Sequence, residues 1–562
     1  MKKVVQIIFL TSVFFIAPVN AQKTFTNPIF PGGYADPSIC RVGDDYYIVN
    51  SSFEYFPGLP IHHSKDLVNW ELIGHGLHRE DQCNGEMNLV DVQTRGGIHA
   101  PTIRHHNGTF YIITTNVYSP EDRSLPTKMI NFIITAKDIR GPWSEPHILE
   151  GAPGIDPDIF FDDNGKVWYV GTHAPEKPNY NGEGEIWLHE IDLEKWELKG
   201  ERHYLWRGAC GGTWAEGPHL YKKYGKYYLL IAEGGTSHNH AVMVAMSDAI
   251  TGPYESNARN PILSTRHLSY DNWVNSTGHA DMIELPDGRW YMVALGIRGD
   301  ENRRSNMGRE THLLPVTWEQ EPFEWKKYKP FWPVVAPQTG RMERHTPLPF
   351  SDKPQDYNDS FTDNFDLEKL NVEWNFRRVP LPNVYSLTQK KGHLRVNLKP
   401  EVIKERGRAA LMGFRQKESA FDYEAKMIFT PKKTNEEAGI SVFQQDDNSI
   451  MFTLKKTSNG MLLQLKIDEF SDAAMYTKKE MILEKYNGKI NFKILGRAGS
   501  YTYLYSLDNG KTFMTFDKTA SDLVQSRGYT GANLGVYATS NGNKSSAFAD
   551  FDWVSYKGFP KN

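Results

Sequence analysis

The 562-residue sequence predicts an all-β protein, a five-bladed β-propeller followed by an antiparallel β-sandwich of the jelly-roll type. Three observations carry this prediction: a five-fold repeat in the first 330 residues, little helical periodicity there, and period-two alternation of apolar and polar residues later in the chain. The boundaries that follow are a signal peptide at 1–21, the propeller at 22–325, a Pro-rich linker at 326–356 and the sandwich at 357–562.

The first segment has the features of a secretory signal peptide. Lys2 and Lys3 precede the apolar stretch VVQIIFLTSVFFIAPV, and small residues end at Ala21. The stretch is too short for a transmembrane anchor, so we expect cleavage after Ala21 and no membrane insertion. The periplasm is the expected location, with secretion from the cell as the alternative.

Each of the five repeats contains a small apolar strand, a turn with Gly or Asp, and an aromatic-rich strand, as in ADPSICRVGDDYYIVNSSF. Turn sequences such as DNGK and PDGR are typical of β-hairpins. The second aromatic residues of these strands lie 64, 58, 59 and 63 positions apart, at Tyr47, Tyr111, Tyr169, Tyr228 and Tyr291. This even spacing predicts five propeller blades, because an ordinary sandwich gives no reason for it.

The first strand of each propeller blade lines the central channel, so residues at the start of these strands face a common axis. Those residues are Asp36, His99, Asp156, Glu216 and His279. Three are carboxylic acids from three different blades. Turn chemistry is the alternative explanation for a single Asp-Pro or Glu-Gly-Pro sequence, but its recurrence with the repeat favours one shared site.

Three convergent acids suit glycoside hydrolysis, which needs one protonated and one ionised carboxyl group. A third acid can raise the pKa of the proton donor by repulsion between like charges. The 14 Trp, 28 Tyr and 29 Phe residues suit sugar binding, and a net charge of −4 provides no basic field for nucleic acid. A metal site made of carboxylates is usually denser, so we expect no required cofactor.

Five stretches together resemble glycoside hydrolase family 43: NPIFPGGYADPSI, SSFEYFPGLPIHHSKDLVNWELIG, IDPDIFFDD, TWAEGPHLYK and NMGRET. They resemble its branch of β-xylosidases and α-L-arabinofuranosidases with a C-terminal β-sandwich. The resemblance implies an inverting mechanism, in which Asp36 is the general base, Glu216 the general acid and Asp156 the residue that tunes and orients the acid. Asp158 lies in the same motif, but it is offset from the repeat pattern.

The same resemblance implies substrate-pocket positions for Phe53 and Arg309. It implies that His279, also a substrate-binding candidate, is the central histidine that touches a channel water or ion. A structural ion pair between Arg309 and Glu310 is the alternative for the arginine, and a hydrogen-bonded core position is the alternative for His279. His99, at the start of a blade 2 strand, is the fourth substrate-binding candidate, and a position at the pocket rim without influence on specificity is its alternative.

One departure from the family pattern concerns the sugar. Many xylosidases of this group have Trp in the second-blade motif, where this chain reads GGIHAPTI with His99. A polar imidazole suits the exocyclic hydroxymethyl group of arabinofuranose, which xylopyranose lacks. We therefore expect an exo-acting hydrolase that releases non-reducing-end α-L-arabinofuranosyl residues from plant hemicellulose oligosaccharides. The alternatives are a β-xylosidase, a bifunctional enzyme, and a non-catalytic sugar-binding propeller.

The last third of the chain alternates apolar and polar residues at period two, as in AGISVFQQDDNSIMFTLKK and YTYLYSLDNGKTF. Short turns separate these stretches, which is typical of an antiparallel sandwich. Its last strand contains Asp550 and Asp552, which are candidate ligands of a structural Ca²⁺. The alternative for two acids two residues apart is a solvated strand face.

Overall fold

The computed structural model describes residues 23–560, apart from 88, 123, 210, 300–303, 322–328, 351, 357–358, 470–473, 498 and 527. The signal peptide predicted at 1–21 lies outside the described residues. Two β-rich bodies make up the described residues, which also contain three short 3₁₀ helices, at Glu80–Cys83, Gly85–Met87 and Ser521–Val524.

Five antiparallel sheets follow one another along the first part of the chain, which confirms the predicted propeller. Blade 1 consists of Ser38–Val42, Asp45–Val49, Gly58–Ser64 and Glu71–Leu77. Blade 2 consists of Gly97–His106, Thr109–Tyr118, Lys128–Ala136 and His147–Ile148, and blade 3 of Ile155–Phe161, Val167–His173, Glu185–Asp192 and Glu197–Trp206.

Blade 4 consists of Glu216–Lys223, Lys226–Glu233, Ala241–Ser247 and Glu255–Ser256, and Leu263–Ser264 also pairs with its third strand. Blade 5 consists of Val274–Glu284, Trp290–Arg298, Glu310–Gln320 and Phe331–Val335. The first strands of the five blades contact one another in a closed ring, so they surround the central axis as predicted. The five spaced tyrosines lie on the second strands, one in each blade.

The segment 326–356, predicted as a linker, contains two strands. Phe331–Val335 is the outermost strand of blade 5, so the propeller continues beyond the predicted boundary at 325. His345–Pro347 pairs with Thr24–Thr26 near the start of the propeller. The Pro-rich composition concealed these strands, because an edge strand tolerates residues such as Pro333 that cannot donate to a ladder.

The C-terminal body is a sandwich of two sheets, which confirms the second half of the predicted fold. One sheet contains Ser360–Asp363, Tyr385–Ser386, Leu394–Asn397, Phe421–Phe429, Lys489–Arg497, Ser500–Ser506, Met514–Ala520 and Phe548–Gly558. The other contains Asn375–Arg377, Ala410–Arg415, Glu437–Gln445, Asn448–Thr457, Gly460–Asp468, Tyr476–Ile482 and Asn533–Thr539. Phe421–Phe429 alternates buried and half-buried side chains, as the period-two pattern requires.

The two bodies share both a strand and a core. Tyr55–Phe56, from the loop inside blade 1, pairs with Asn375–Arg377 and forms the last strand of the second sandwich sheet. One buried apolar cluster includes Leu77 and Ile98 of the propeller together with Phe414 of the sandwich. The sandwich therefore lies against blades 1 and 2 through a continuous hydrophobic interface.

Candidate active site

A bend in the first strand of each blade brings the predicted site residues to the axis. At each bend one residue has a left-handed backbone conformation, with φ between 38° and 58°, at Asp36, Ala100, Asp156, Gly217 and His279. Proline follows the first four of these residues. Non-glycine residues with positive φ are strained and cluster at functional sites. The bends bring side chains of different blades together, since His279 lies 3.7 Å from Asp36 and 4.0 Å from Asp156.

Three acids, one arginine and one histidine form a cluster that we term the acid pit: Asp36, Asp156, Glu216, Arg309 and His279. Asp36 and Asp156 occupy equivalent positions of the repeat, whereas Glu216 lies one position earlier, before the left-handed Gly217. This offset corrects the expectation that all three acids are in register. It also separates them by burial, because Asp36 and Asp156 are buried and Glu216 is half-buried.

Asp36 is surrounded by groups that favour its ionised form. Ser51 Oγ donates a hydrogen bond to Asp36 Oδ2 at 2.6 Å, and Arg309 Nη1 donates to Oδ1 at 3.1 Å. Burial raises the pKa of Asp36, but the charges of His279 and Arg309 outweigh burial, and the pKa lies below its ordinary value. Burial lowers the pKa of His279 to about 4, so near neutral pH Arg309 and Ser51 supply this stabilisation.

Glu216 has the opposite electrostatic environment. Burial raises the pKa of Glu216 to about 7, the charge of Arg309 opposes this rise, and the charge of Asp36 adds to it. The pKa of Asp156 is raised well above its ordinary value by burial and by the charges of Glu216 and Asp36. Asp156 Oδ2 accepts a hydrogen bond from the backbone N–H of Gly217 at 3.2 Å, which links it to the residue after Glu216.

Arg309 belongs to the acid pit and does not form the structural pair with Glu310. Glu310 Oε2 accepts from Arg298 Nε at 2.7 Å, and Arg298 also contacts Glu418 of the sandwich at 3.0 Å. Arg309 contacts Asp36, and its Nη2 donates to the carbonyl of Thr236 at 3.3 Å.

The aromatic wall beside the acid pit includes a residue that sequence reasoning missed. Phe53 and His99 pack edge to face with ring centroids 5.1 Å apart, and Tyr529 of the sandwich stacks on Phe53 at 5.8 Å. The guanidinium group of Arg309 lies over the Tyr529 ring at 4.6 Å. No sequence signal marks Tyr529, because it lies more than 200 residues after the repeats. Ser51, also missed, is part of the quoted SSFEY stretch and follows a blade 1 strand.

Asp158 is not part of the acid pit and belongs to a separate ionic network. Its Oδ1 contacts Arg104 Nη2 at 3.1 Å, and its Oδ2 accepts from the backbone N–H of Leu220 at 3.0 Å. Arg104 Nη1 also contacts Asp281 at 2.8 Å, and Tyr221 donates to Asp281 at 2.5 Å. Both oxygens of Asp158 are therefore used in contacts between the inner strands. Asp156, and not Asp158, is the residue beside Glu216.

No group of three or more His, Cys, Asp or Glu residues in the described ranges is arranged to hold a metal ion. The candidate calcium ligands have cationic partners. Asp550 contacts Arg395 at 2.8 Å, and Asp552 contacts Lys426 at 2.7 Å. This pairing on a strand face does not fit a calcium site, whose oxygen donors must converge on one point.

A cavity of about 590 Å³ lies apart from the acid pit. It lies between blade 5 and the sandwich and is lined by Trp273, Arg298 and Tyr501 among others. Convergent acids with pKa values driven apart are a stronger indication of chemistry than cavity size. The acid pit can therefore place a proton donor, Glu216, and an ionised base, Asp36, in one enclosed space.

Comparisons with known proteins agree with this geometry. Residues 25–323 match the profile of glycosyl hydrolases family 43, and residues 362–557 match that of the β-xylosidase C-terminal concanavalin A-like domain. A xylosidase/arabinosidase of Butyrivibrio fibrisolvens is 40% identical over 94% of this chain and 98% of its own length. A non-reducing end α-L-arabinofuranosidase of Bacteroides ovatus is 36% identical over 96% of this chain and 95% of its own.

Solved structures show the same architecture. A family 43 protein from a Bacteroides ovatus xyloglucan locus has a TM-score of 0.84 at 34% identity, covering 96% of this chain and all of that one. A family 43 protein from Bacillus licheniformis has a TM-score of 0.83 at 31% identity, covering 95% of this chain and all of that one. Within the described residues, no helix combines the length and apolar character that crossing a membrane demands.

Proposed function

The chain belongs to glycosyl hydrolases family 43, and from that premise we propose that it is an exo-acting, inverting hydrolase of terminal pentosides. The proposal depends on one observation above all, the opposite pKa directions of Asp36 and Glu216 within the acid pit. Hydrolysis with inversion needs an ionised base and a protonated acid on opposite sides of one glycosidic carbon.

Each role follows from the surroundings of its carboxyl group. Asp36, ionised at neutral pH, takes a proton from the water that attacks the anomeric carbon. Glu216, with a pKa of about 7, donates its proton to the oxygen of the departing group. Asp156 keeps its proton or shares one proton with Glu216. The hydrogen bond that it accepts from the Gly217 N–H positions the strand that carries the acid. Arg309 and Ser51 hold Asp36 in place.

We propose α-L-arabinofuranosyl residues as the favoured terminal sugar that the enzyme releases, with β-xylosyl residues or both as the alternative. His99 is neutral at pH 7 because burial lowers its pKa to about 4, and its Nδ1 has no hydrogen-bond partner among the described residues. A buried, unpartnered imidazole nitrogen suits a sugar hydroxyl. The Bacteroides ovatus relative named as an arabinofuranosidase supports this choice, and the Butyrivibrio relative named for both activities supports the alternative.

We further propose hemicellulose oligosaccharides as substrates and export to the periplasm as the location. The rival hypothesis, a propeller that only binds sugar, requires acids that hydrogen-bond hydroxyls without exchanging protons. A carboxyl group with a pKa near 7 beside an ionised one favours proton transfer instead.

Two measurements test the function and the sugar. Proton NMR of the first product formed from an aryl α-L-arabinofuranoside should show an inverted anomeric centre, and retention would contradict the mechanism. Release of no sugar from aryl arabinofuranosides, aryl xylosides or oligosaccharides would favour the binding protein. For the sugar, His99→Trp should lower the ratio of kcat/KM on the arabinofuranoside to that on the xyloside. An unaltered protein that prefers the xyloside, with no change in the variant, would contradict the role of His99.

A further inference from the structure

An exposed indole lies beside the acid pit and has no part in the chemistry described above. Trp214 is 46% exposed, although it is only two residues before Glu216. Burying an exposed aromatic ring face is favourable, so a tryptophan left open beside a reactive carboxyl group is a candidate contact for ligand.

The backbone around Gly182 and Gly235 fixes the position of this exposed ring, and we call this backbone surface the seat of Trp214. Trp214 has a left-handed backbone with φ of 52°, and its backbone N–H donates to the carbonyl of Gly182 at 2.5 Å. A Cβ atom at Gly182 would lie 2.7 Å from the indole, and one at Gly235 would lie 2.9 Å from it. Two glycines are therefore needed to let the ring lie flat against backbone. A surface residue without a role needs no such seat.

Neighbouring contacts make the seat rigid. The N–H of Gly234 donates to the carbonyl of Thr213 at 2.7 Å, and the Tyr180 hydroxyl donates to the carbonyl of Gly212 at 3.1 Å. The buried carboxyl group of Glu233 accepts from the backbone N–H of Ala209 at 2.6 Å. Segments from blades 3 and 4 thus clamp the short stretch that carries the indole.

The position of the seat points to the departing side of the substrate. The segment that contacts the indole through Gly235 also binds Arg309 through the carbonyl of Thr236, one residue later. Trp214 is therefore tied to the acid pit from two directions. Because Glu216 protonates the leaving oxygen, whatever lies beyond that oxygen is on the Glu216 side. There the substrate continues as the rest of the oligosaccharide.

We propose that the exposed ring of Trp214 is a stacking platform for the sugar unit on the leaving-group side of the cleaved bond. The proposal rests on the proposed function and deepens it. It implies that the natural substrate is an oligosaccharide whose backbone sugar lies with its C–H face on the indole. A glycoside without that second sugar gains nothing from Trp214.

The test compares two substrates that carry the pentose released by the unaltered protein. The pair is methyl α-L-arabinofuranoside with arabinofuranosyl-xylotriose, or methyl β-D-xyloside with xylotriose. In Trp214→Ala we expect kcat/KM on the oligosaccharide to fall about tenfold, mainly through a higher KM. On the methyl glycoside it should stay within about twofold. Trp214→Tyr keeps a flat ring and should recover most of the loss.

Tyr204→Ala is the matched control, because Tyr204 is 42% exposed on the outer strand of blade 3, and it should leave both substrates unchanged. Equal losses on both substrates in Trp214→Ala would show that the indole only supports Glu216, and would overturn the proposal. Unchanged kinetics, or a Tyr variant as impaired as the Ala variant, would overturn it too. An unaltered protein that hydrolyses neither substrate contradicts the proposed function itself.

Discussion

Asp36 and Glu216 share one enclosed space, yet their carboxyl groups are driven in opposite directions. Asp36 receives hydrogen bonds from Ser51 and Arg309, whereas burial raises the pKa of Glu216, with the charge of Arg309 opposing the rise and the negative charge of Asp36 adding to it. A shift of one pKa unit corresponds to about 1.4 kcal/mol of differential interaction. The assignment of acid and base therefore depends on the partners of each group and not on residue type.

Substitution of the two acids should separate their roles. Glu216→Ala should lower kcat on oligosaccharides by about 10²–10⁴-fold, because their leaving groups need a proton. On aryl glycosides with acidic phenol leaving groups the loss should be far smaller. Asp36→Ala should impair both substrates alike, since every substrate needs the activated water. Steady-state kinetics on both substrate types measure this, and an equal loss in the Glu216 variant would contradict its role as the acid.

The pKa directions also predict a pH profile. Glu216 must be protonated to act, and its pKa is about 7, so kcat/KM should fall as the pH rises above about 7. Asp36 must be ionised, and its pKa lies below the ordinary value, so activity should persist into acid until Asp36 takes up a proton. The interacting acids titrate together, so the acidic and alkaline limbs of the pH profile give pKa values that belong to the acid pit as a whole. In Glu216→Gln the residual activity should lose the alkaline limb, and an unchanged limb would assign it to another group.

At the scale of the strand, the repeated bend determines which side chain reaches the axis. A left-handed residue followed by proline recurs in four blades, and its side chain is a carboxylate only at Asp36 and Asp156. In blade 4 the left-handed position is Gly217, and the acid is displaced to the preceding residue. A Cβ atom at Gly217 would lie 3.1 Å from the imidazole of His279. Glycine at this point keeps the strand of Glu216 close to the centre of the propeller.

Gly217→Ala tests this close approach. The left-handed backbone should cost about 1–2 kcal/mol of stability, and the new methyl group should also displace His279 and lower kcat. Gly225→Ala is the control, because Gly225 has φ of 70° in the same blade and nothing lies within 4 Å of its added Cβ. Chemical denaturation and kinetics distinguish the two variants. Full activity in Gly217→Ala would show that the contact with His279 does not matter.

At the scale of the whole molecule, the sandwich belongs to the active site. Tyr529 forms part of the aromatic wall, and Glu418 binds Arg298, the partner of Glu310 next to Arg309. The pairing of Tyr55–Phe56 with a sandwich strand joins the bodies through the backbone as well. A closed wall on one side of the acid pit is consistent with release of terminal sugars.

Removal of residues 357–562 should therefore abolish activity. It would expose the apolar face shared by blades 1 and 2, leave Tyr55–Phe56 as an unpaired strand edge and remove Tyr529. We expect insoluble or inactive protein, assessed by size-exclusion chromatography and by hydrolysis of an aryl glycoside. Tyr529→Ala in the full chain separates the wall from folding, and it should raise KM in a protein of normal stability. A soluble and fully active propeller would show the sandwich to be dispensable.

The sequence by itself determined the blade count, the sandwich and the candidate acids. Spacing near 60 residues and period-two alternation report local structure, and these patterns survive in the printed letters because each strand must bury one face. The resemblance of five motifs to family 43 was also confirmed by the family profiles. The strands within 326–356 were not predicted, because prolines in an edge strand look the same as prolines in a loop.

Only the tertiary structure decided which groups meet. It placed Glu216 one residue out of register with Asp36, gave Glu310 to Arg298 instead of Arg309, and brought Tyr529 beside Phe53. Contacts of this kind join residues hundreds of positions apart, and no periodicity along the chain encodes them. The pKa of each acid is likewise a property of burial and neighbouring charge in three dimensions, which is why the chemistry depends on the folded form.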